Sequence, residues 1–169
     1  MITNFALEHL LLRDGGIVIR SAHADDESLL ASWFRDNPQI YAHWGGSPLS
    51  CDEIGAHCRV DVDESETCWP FIIIANAQPV GFIQAWVRND MSGGLDLVLA
   101  PQHRRRGIGR RALLMLSAYL RDTAGWARIT VDPRIDNIAA VEFFAHCRFF
   151  DTGERFSEED HTHMLMEFR

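Results

Sequence analysis

The chain has 169 residues, 47% hydrophobic and 24% charged, a composition that fits one globular domain with a proper core and excludes a disordered chain. A formal net charge of -8 argues against a general nucleic-acid binder, which needs clustered positive charge to neutralise phosphates. Apolar runs such as Phe71 to Ala75 fall far short of the ~20 residues of a membrane span, and Met1 to Arg13 lacks the basic head of an export signal, so no membrane partner and a cytoplasmic location are expected.

In chain order, Ile17-Val18-Ile19-Arg20 reads as a short strand after the turn Asp14-Gly15-Gly16. Asp25 to Phe34 follows with Leu29, Leu30, Trp33 and Phe34 at helical spacing, with Asp25 or Asp26 as cap and Asn37-Pro38 as stop. Cys51 to Glu66 carries six acidic residues and is expected to be helix and loop. Phe71 to Ala75 and Val80 to Val87 form a predicted hairpin around Asn76-Ala77-Gln78-Pro79. Leu95 to Leu99 is a further strand, entered through Gly93-Gly94. Ile108, Ala112, Leu113, Leu116, Tyr119 and Leu120 mark an amphipathic helix of about four turns. A strand at Arg128 to Val131, a helix from Asn137 to His146, and strands at Phe149 to Thr152 and His163 to Phe168 complete the series. The order predicts one mixed α/β domain with helices on both faces of a sheet.

The four cysteines, Cys51, Cys58, Cys68 and Cys147, lack a Cys-x-x-Cys spacing and are expected as free thiols. His57 beside Cys58, and His161 with His163, lack a second half with ligand spacing, so no metal is expected. All sixteen basic residues are arginine, which leaves no lysine for Schiff-base chemistry.

Chemistry concentrates where the strand Leu95 to Leu99 runs through Ala100-Pro101-Gln102-His103 into Arg104-Arg105-Arg106-Gly107-Ile108-Gly109-Arg110-Arg111 and opens a helix. Free amides and the positive end of the helix dipole make an anion site. Gly107 and Gly109 are expected to remove side chains where a phosphate approaches the backbone, and the arginines to add charge-assisted hydrogen bonds. A solvated basic helix start would explain five arginines within eight residues, but not the glycines. Neither the dinucleotide fingerprint nor the nucleoside-triphosphate loop is present.

This segment resembles the cofactor motif of the GNAT superfamily of N-acetyltransferases, Gln/Arg-x-x-Gly-x-Gly/Ala between a strand and a helix. A second hallmark, Asn-x-x-Ala-x-x-x-Tyr followed by Gly-Phe, is matched by Asn137, Ala140, Phe144 and Phe149. The resemblance implies a GNAT fold over residues 1–169, a mostly antiparallel central sheet flanked by helices on both faces, and acetyl-CoA as cofactor. Its cofactor-binding residues would be Val98, Leu99, Arg104, Arg105, Arg106, Gly107, Ile108, Gly109, Arg110, Asn137 and Phe144, with a backbone N–H near Val98 or Leu99 polarising the thioester carbonyl. Two positions depart from the pattern. Phe144 stands where the family often has a proton-donating tyrosine, and Arg148 where it usually has glycine.

More narrowly, the chain is similar to aminoglycoside 6'-N-acetyltransferases. The similarity runs through Ile17 to Arg20, Trp33, His43-Trp44-Gly45-Gly46, Gly94 to Ala100, Thr130-Val131-Asp132-Pro133 with Asn137, and the acidic loop Glu158-Glu159-Asp160. It implies acetylation of a polycationic amine by direct transfer in a ternary complex, with Asp96 orienting the amine and accepting its proton. Trp44, Asp90, Asp96, Asp132, Glu159 and Asp160 are the expected substrate-binding residues, with Trp86 a further sugar-packing ring. Cys147 is expected in the core rather than as a nucleophile, and the protein as a monomer or homodimer. Alternatives are acylation of a siderophore-type hydroxylamine or another amine, and a domain that senses acetyl-CoA without transfer, which Phe144 and Arg148 motivate.

Overall fold

The two-residue alternation of a β-strand sorts the apolar residues of the central strands onto two faces. Phe71, Ile73, Ile83 and Leu95 pack on one side with Leu113, Leu116 and Leu120. Ile72, Phe82 and Val98 pack on the other with Leu30 and Trp33. Two separate cores result, one on each side of a single sheet.

The computed structural model describes residues 5–36, 61–62, 66–88, 90–158 and 160–169. In chain order the elements are α1 Phe5–Glu8, β1 Leu11–Asp14, β2 Ile17–Ser21, α2 Glu27–Asp36, β3 Asp61–Val62, β4 Glu66–Ala75, β5 Gln78–Arg88, β6 Ser92–Leu99, α3 Ile108–Asp122, β7 Arg128–Val131, α4 Ile138–His146, β8 Phe149–Glu158 and β9 His161–Phe168. The strands form one sheet in the order β1-β2-β4-β5-β6-β7-β9-β8, with β3 also paired to β4. Among the described residues only β6 and β7 run parallel; the other pairings are antiparallel. Helix α3 contributes to the first core, against which Val141, Phe143 and Phe144 of α4 also pack. Helix α2 covers the opposite face through Leu30 and Trp33.

Several expectations need adjustment. Most of the segment from Cys51 to Glu66, expected as helix and loop, lies outside the described residues, but Asp61–Val62 is a strand and Glu66 opens β4. Asn37-Pro38, the expected stop of α2, also lies outside them. Asp26 does act near the start of α2, although it reaches back: its carboxylate accepts from the His23 amide at 2.8 Å and from Arg20 at 2.7 Å through two nitrogens. Burial alone would raise that carboxyl; the Arg20 and His23 bonds outweigh it and hold the pKa below the usual value.

The β4–β5 turn is tighter than the four residues anticipated. Its two central residues, Asn76 and Ala77, have φ of 50° and 62°, as a two-residue type I′ turn requires, and Gln78 and Pro79 already belong to β5. Asparagine tolerates the left-handed region, whereas alanine is strained there by roughly 1–2 kcal/mol. Ala77→Gly is therefore expected to stabilise the protein by about 1 kcal/mol, a rise of about 2–4 °C in thermal unfolding. A fall in Tm would contradict the turn.

Candidate active site at the parting of two strands

Strands β6 and β7 pair only at Ser92–Gly94 with Arg128–Thr130. Beyond that point β6 continues to Leu99 against β5, and β7 continues to Val131 against β9. The two parallel strands thus part after Gly94 and Thr130 and leave an opening. Thr130 Oγ1 donates to the Gly93 carbonyl at 3.1 Å, so the Gly93 carbonyl points toward β7, while the Ala100 amide bonds Val80 on the β5 side. Alternation then turns the Leu95, Leu97 and Leu99 amides toward the opening and the Val98 amide toward β5. Of the two residues expected to offer an N–H, Leu99 directs it toward the opening and Val98 away from it.

Asp96 shares the face of Val98, opposite Gln84 of β5. Its Oδ2 accepts from the Trp86 indole Nε1–H at 3.0 Å. The neighbouring Gln84 is buried and donates to Cys68 Sγ. Asp132 follows β7 directly, two residues beyond Thr130 as Asp96 is two beyond Gly94, so one carboxylate stands on each side of the opening. Solvent reaches Asp132, yet the protein packed around it raises its pKa. The charges of His163 and Arg88 oppose that rise, while Glu158 adds to it.

At the far end of β6 the chain makes a short 3-10 turn at Pro101–His103 and enters α3. Gly107 is the N-cap with φ of 75°, and no side chain caps the helix. A Cβ at Gly107 would meet nothing within 4 Å, so the space beside this uncapped N-terminus is open. Gly109 differs from expectation. Its added Cβ would lie 3.1 Å from Leu99 Cδ1 and 3.4 Å from Phe143 Cζ, so that glycine lets α3 approach β6 and α4 instead of a phosphate.

The arginines also divide. Arg104 Nε donates to the Leu99 carbonyl at 2.9 Å, Arg110 Nε to the His146 carbonyl at 3.1 Å, and Arg111 pairs with Asp14 at 3.0 Å. Arg105 and Arg106 are exposed and make no hydrogen bond or ion pair with a described residue. An uncapped helix start, an open cradle and two unengaged guanidinium groups fit a pyrophosphate. Gly107→Val should therefore weaken CoA binding at least 10-fold in a calorimetric titration, at a stability cost of about 1–2 kcal/mol from the positive φ. Unaltered affinity would remove this helix start from the cofactor site.

Other expected site residues have structural duties. Asn137 is the N-cap of α4, its Oδ1 accepting from Ala140 N at 3.2 Å. Phe144 meets Phe143 and Phe149 edge-on at 5.3 and 6.0 Å and packs against the core, and Ile108 is half-buried against the same core. Arg148 has φ of 69°, which explains the preference for glycine there, and its guanidinium stacks over Phe168 at 5.4 Å. Asp90 is exposed and engaged in its own turn, accepting from the Ser92 hydroxyl and amide, which hold its pKa below the usual value. Asp160 is exposed at the β8–β9 turn with φ of 63°. Trp44 and Glu159 lie outside the described residues, as do Gly45, Gly46, Cys51, His57 and Cys58. Cys68 and Cys147 are buried, and burial pushes the Cys147 thiol up to about 11.

A family model described as "Acetyltransferase (GNAT) family" matches residues 21–149. Among curated proteins none matches the chain by sequence. Solved structures similar to it include the aminoglycoside acetyltransferase AAC(6')-Ib in complex with paromomycin and acetyl-CoA, at 20% identity and TM-score 0.79, covering 91% of this chain and 93% of that one. Spermidine N-acetyltransferase from Vibrio cholerae, in complex with CoA and spermine, is similar at 19% identity and TM-score 0.74, covering 92% and 96%. A ribosomal alpha-N-protein acetyltransferase is similar at 14% identity and TM-score 0.74, covering 95% of each chain. Among the described residues no helix is long and apolar enough to cross a membrane.

Proposed function

The chain belongs to the acetyltransferase (GNAT) family, and from that premise we propose that it acetylates a primary amine of a polycationic small molecule, the 6'-amino group of an aminoglycoside being the preferred substrate. The observation that carries this reading is the pair of carboxylates, Asp96 and Asp132, on either side of the opening between β6 and β7. A polycation is drawn to such a site by charge. Further support comes from the likeness to an aminoglycoside acetyltransferase structure and from a second polyamine-binding relative of the fold.

Acetyl-CoA, when bound, supplies an activated acetyl thioester. Arg105, Arg106 and the amides that begin α3 hold its pyrophosphate, and the Leu99 N–H faces the opening where a carbonyl oxygen can be received. Asp96, fixed by the Trp86 indole, draws in the ammonium and orients its nitrogen for attack. Phe144 has no proton to give, so protonation of the departing thiolate falls to water. Direct transfer is favoured because Cys147, buried and with its pKa raised to about 11, is no nucleophile at neutral pH.

The test is thiol release from acetyl-CoA with kanamycin-type aminoglycosides, spermidine, a hydroxylamine and a peptide N-terminus. Fastest turnover with the aminoglycosides supports the reading. Release only with the hydroxylamine or the peptide would sink it, and CoA binding without turnover of any amine would favour a sensor.

A further inference from the structure

On the far arm of the opening the sheet presents an imidazole that the mechanism above does not use. Met164, Met166 and Phe168 of β9 are buried in the core beneath α3 and α4, so alternation places His163 on the opposite face, the face of Asp96 and Trp86. Its position beside Asp132 is fixed by the backbone. Met164 N donates to the Pro133 carbonyl at 3.0 Å and Ile135 N to the Thr162 carbonyl at 2.9 Å, which stitches the segment after β7 to β9. Phe156 of β8, opposite His163 in register, stacks on its ring at 5.2 Å with an interplanar angle of 15°.

The decisive contact is His163 Nδ1 to the Asp132 backbone oxygen at 2.8 Å. A carbonyl oxygen only accepts, so Nδ1 carries the hydrogen. In the neutral ring Nε2 is then a bare lone pair, a base whose tautomer and orientation are set before substrate arrives. The neighbouring Asp132 carboxyl feels, besides His163, the charges of Glu158 on β8 and Arg88 at the end of β5, and Arg134, bridged to His163 through the backbone, is engaged by Asp136. The surroundings are acidic and suit a cationic substrate.

We infer that His163 is a further catalytic residue, the base that takes the proton of the substrate ammonium while Asp96 positions the nitrogen. The inference rests on the amine-acetyltransferase reading. Imidazole is the side chain most often used for general-base work, and here the Nδ1 tether leaves Nε2 as the nitrogen able to accept. The step balances without any redox partner. One N–H bond of the ammonium breaks, its electron pair stays on nitrogen for attack on the thioester, and the proton passes to Nε2 and then to solvent.

His163→Asn tests this, because the Asn amide can still donate to the Asp132 carbonyl while Nε2 is lost. The wild type should release thiol with its best amine and show an acid limb in its pH–rate profile. The variant should lose on the order of 100-fold in kcat and lack that limb, its rate climbing with the fraction of free amine up to alkaline pH. Its KM for acetyl-CoA and its Tm should stay near wild type. A variant that keeps both kcat and the acid limb overturns the role of His163 and leaves the acetyltransferase reading standing. A wild type that releases thiol with no amine overturns both. Should His163→Asn fold poorly, His163→Ala with added imidazole replaces it: partial restoration of the rate supports the base, and none at saturating imidazole overturns it.

Discussion

Asp96→Ala should lower kcat for amine acetylation on the order of 100-fold, about 2.7 kcal/mol of transition-state stabilisation, and leave the affinity for acetyl-CoA near normal. The two effects separate because the two ligands use different ends of β6. The cofactor cradle begins after Leu99, at Arg105, Arg106 and Gly107, whereas Asp96 lies nearer the point where β6 and β7 part. Removing the carboxylate also leaves the Trp86 indole N–H without its partner at 3.0 Å. Asp96→Asn keeps an acceptor for that N–H and loses only the charge, so it should fall nearly as far as alanine if charge orients the amine. Trp86→Phe keeps the charge and loses the tether, and a drop of only a few-fold is expected. Steady-state kinetics by thiol release, with CoA affinity measured separately, distinguish these cases. Wild-type kcat in Asp96→Ala would remove Asp96 from the chemistry.

Much of this site could be read from the sequence because its parts are local. Arg104 to Gly109 are consecutive, and a strand, a glycine turn and a helix in immediate succession state an anion site without knowledge of the fold. Their division of labour could not be read that way. That Gly109 is a packing glycine depends on Leu99 and Phe143, and that Arg111 belongs to Asp14 depends on a contact across 97 residues. The pairing of Asp132 with His163 was hidden for the same reason, since it joins residues 31 apart through a backbone oxygen that no residue type announces. The spacing of His161 and His163 gave no role to either ring, and the tether of His163 to a peptide carbonyl has no sequence signature.

The fold divides along a similar line. Helix α3 was legible because Ile108, Ala112, Leu113, Leu116 and Leu120 repeat at helical spacing over a long span. Strand β1 has no signature in the sequence, since Leu11-Leu12-Arg13-Asp14 lies at the edge of the sheet and leaves Leu11 exposed, with no alternation to betray it. Strand β8 extends beyond the expected Thr152 to Glu158, and the extension is silent in the sequence for the same reason: from Phe150 onward nearly all of the strand faces solvent. Pro79 read as part of a turn because proline cannot donate to a ladder, but the irregular register between Ile73 and Ile74 accommodates it within β5.

Gly93→Ala should be the most damaging single substitution considered, with a loss of more than about 4 kcal/mol or failure to fold. Gly93 was expected at the entrance to a strand, but it lies inside β6, buried between Val87 of β5 and Ile129 of β7. A Cβ there would come within 1.9 Å of the Trp86 carbonyl oxygen and 2.5 Å of Trp126 Cζ3. Neither obstacle yields at small cost: the first is backbone held in a ladder, and the second is a ring buried in the core beneath α3. Its neighbour supplies the control. A Cβ at Gly94 would meet Thr130 Oγ1 at 3.9 Å, an ordinary contact, so Gly94→Ala should change stability by no more than about 1 kcal/mol. Denaturant unfolding of the two variants decides the matter, and equal stabilities would contradict the packing described for β6. The asymmetry also bears on the active site, because Gly93 and Gly94 form the last stretch where β6 is held on both edges. A variant that pushed β6 away from Trp86 there would displace Asp96, three residues on, before it touched the cofactor cradle. Any folded fraction of Gly93→Ala should therefore lose turnover more severely than it loses CoA affinity.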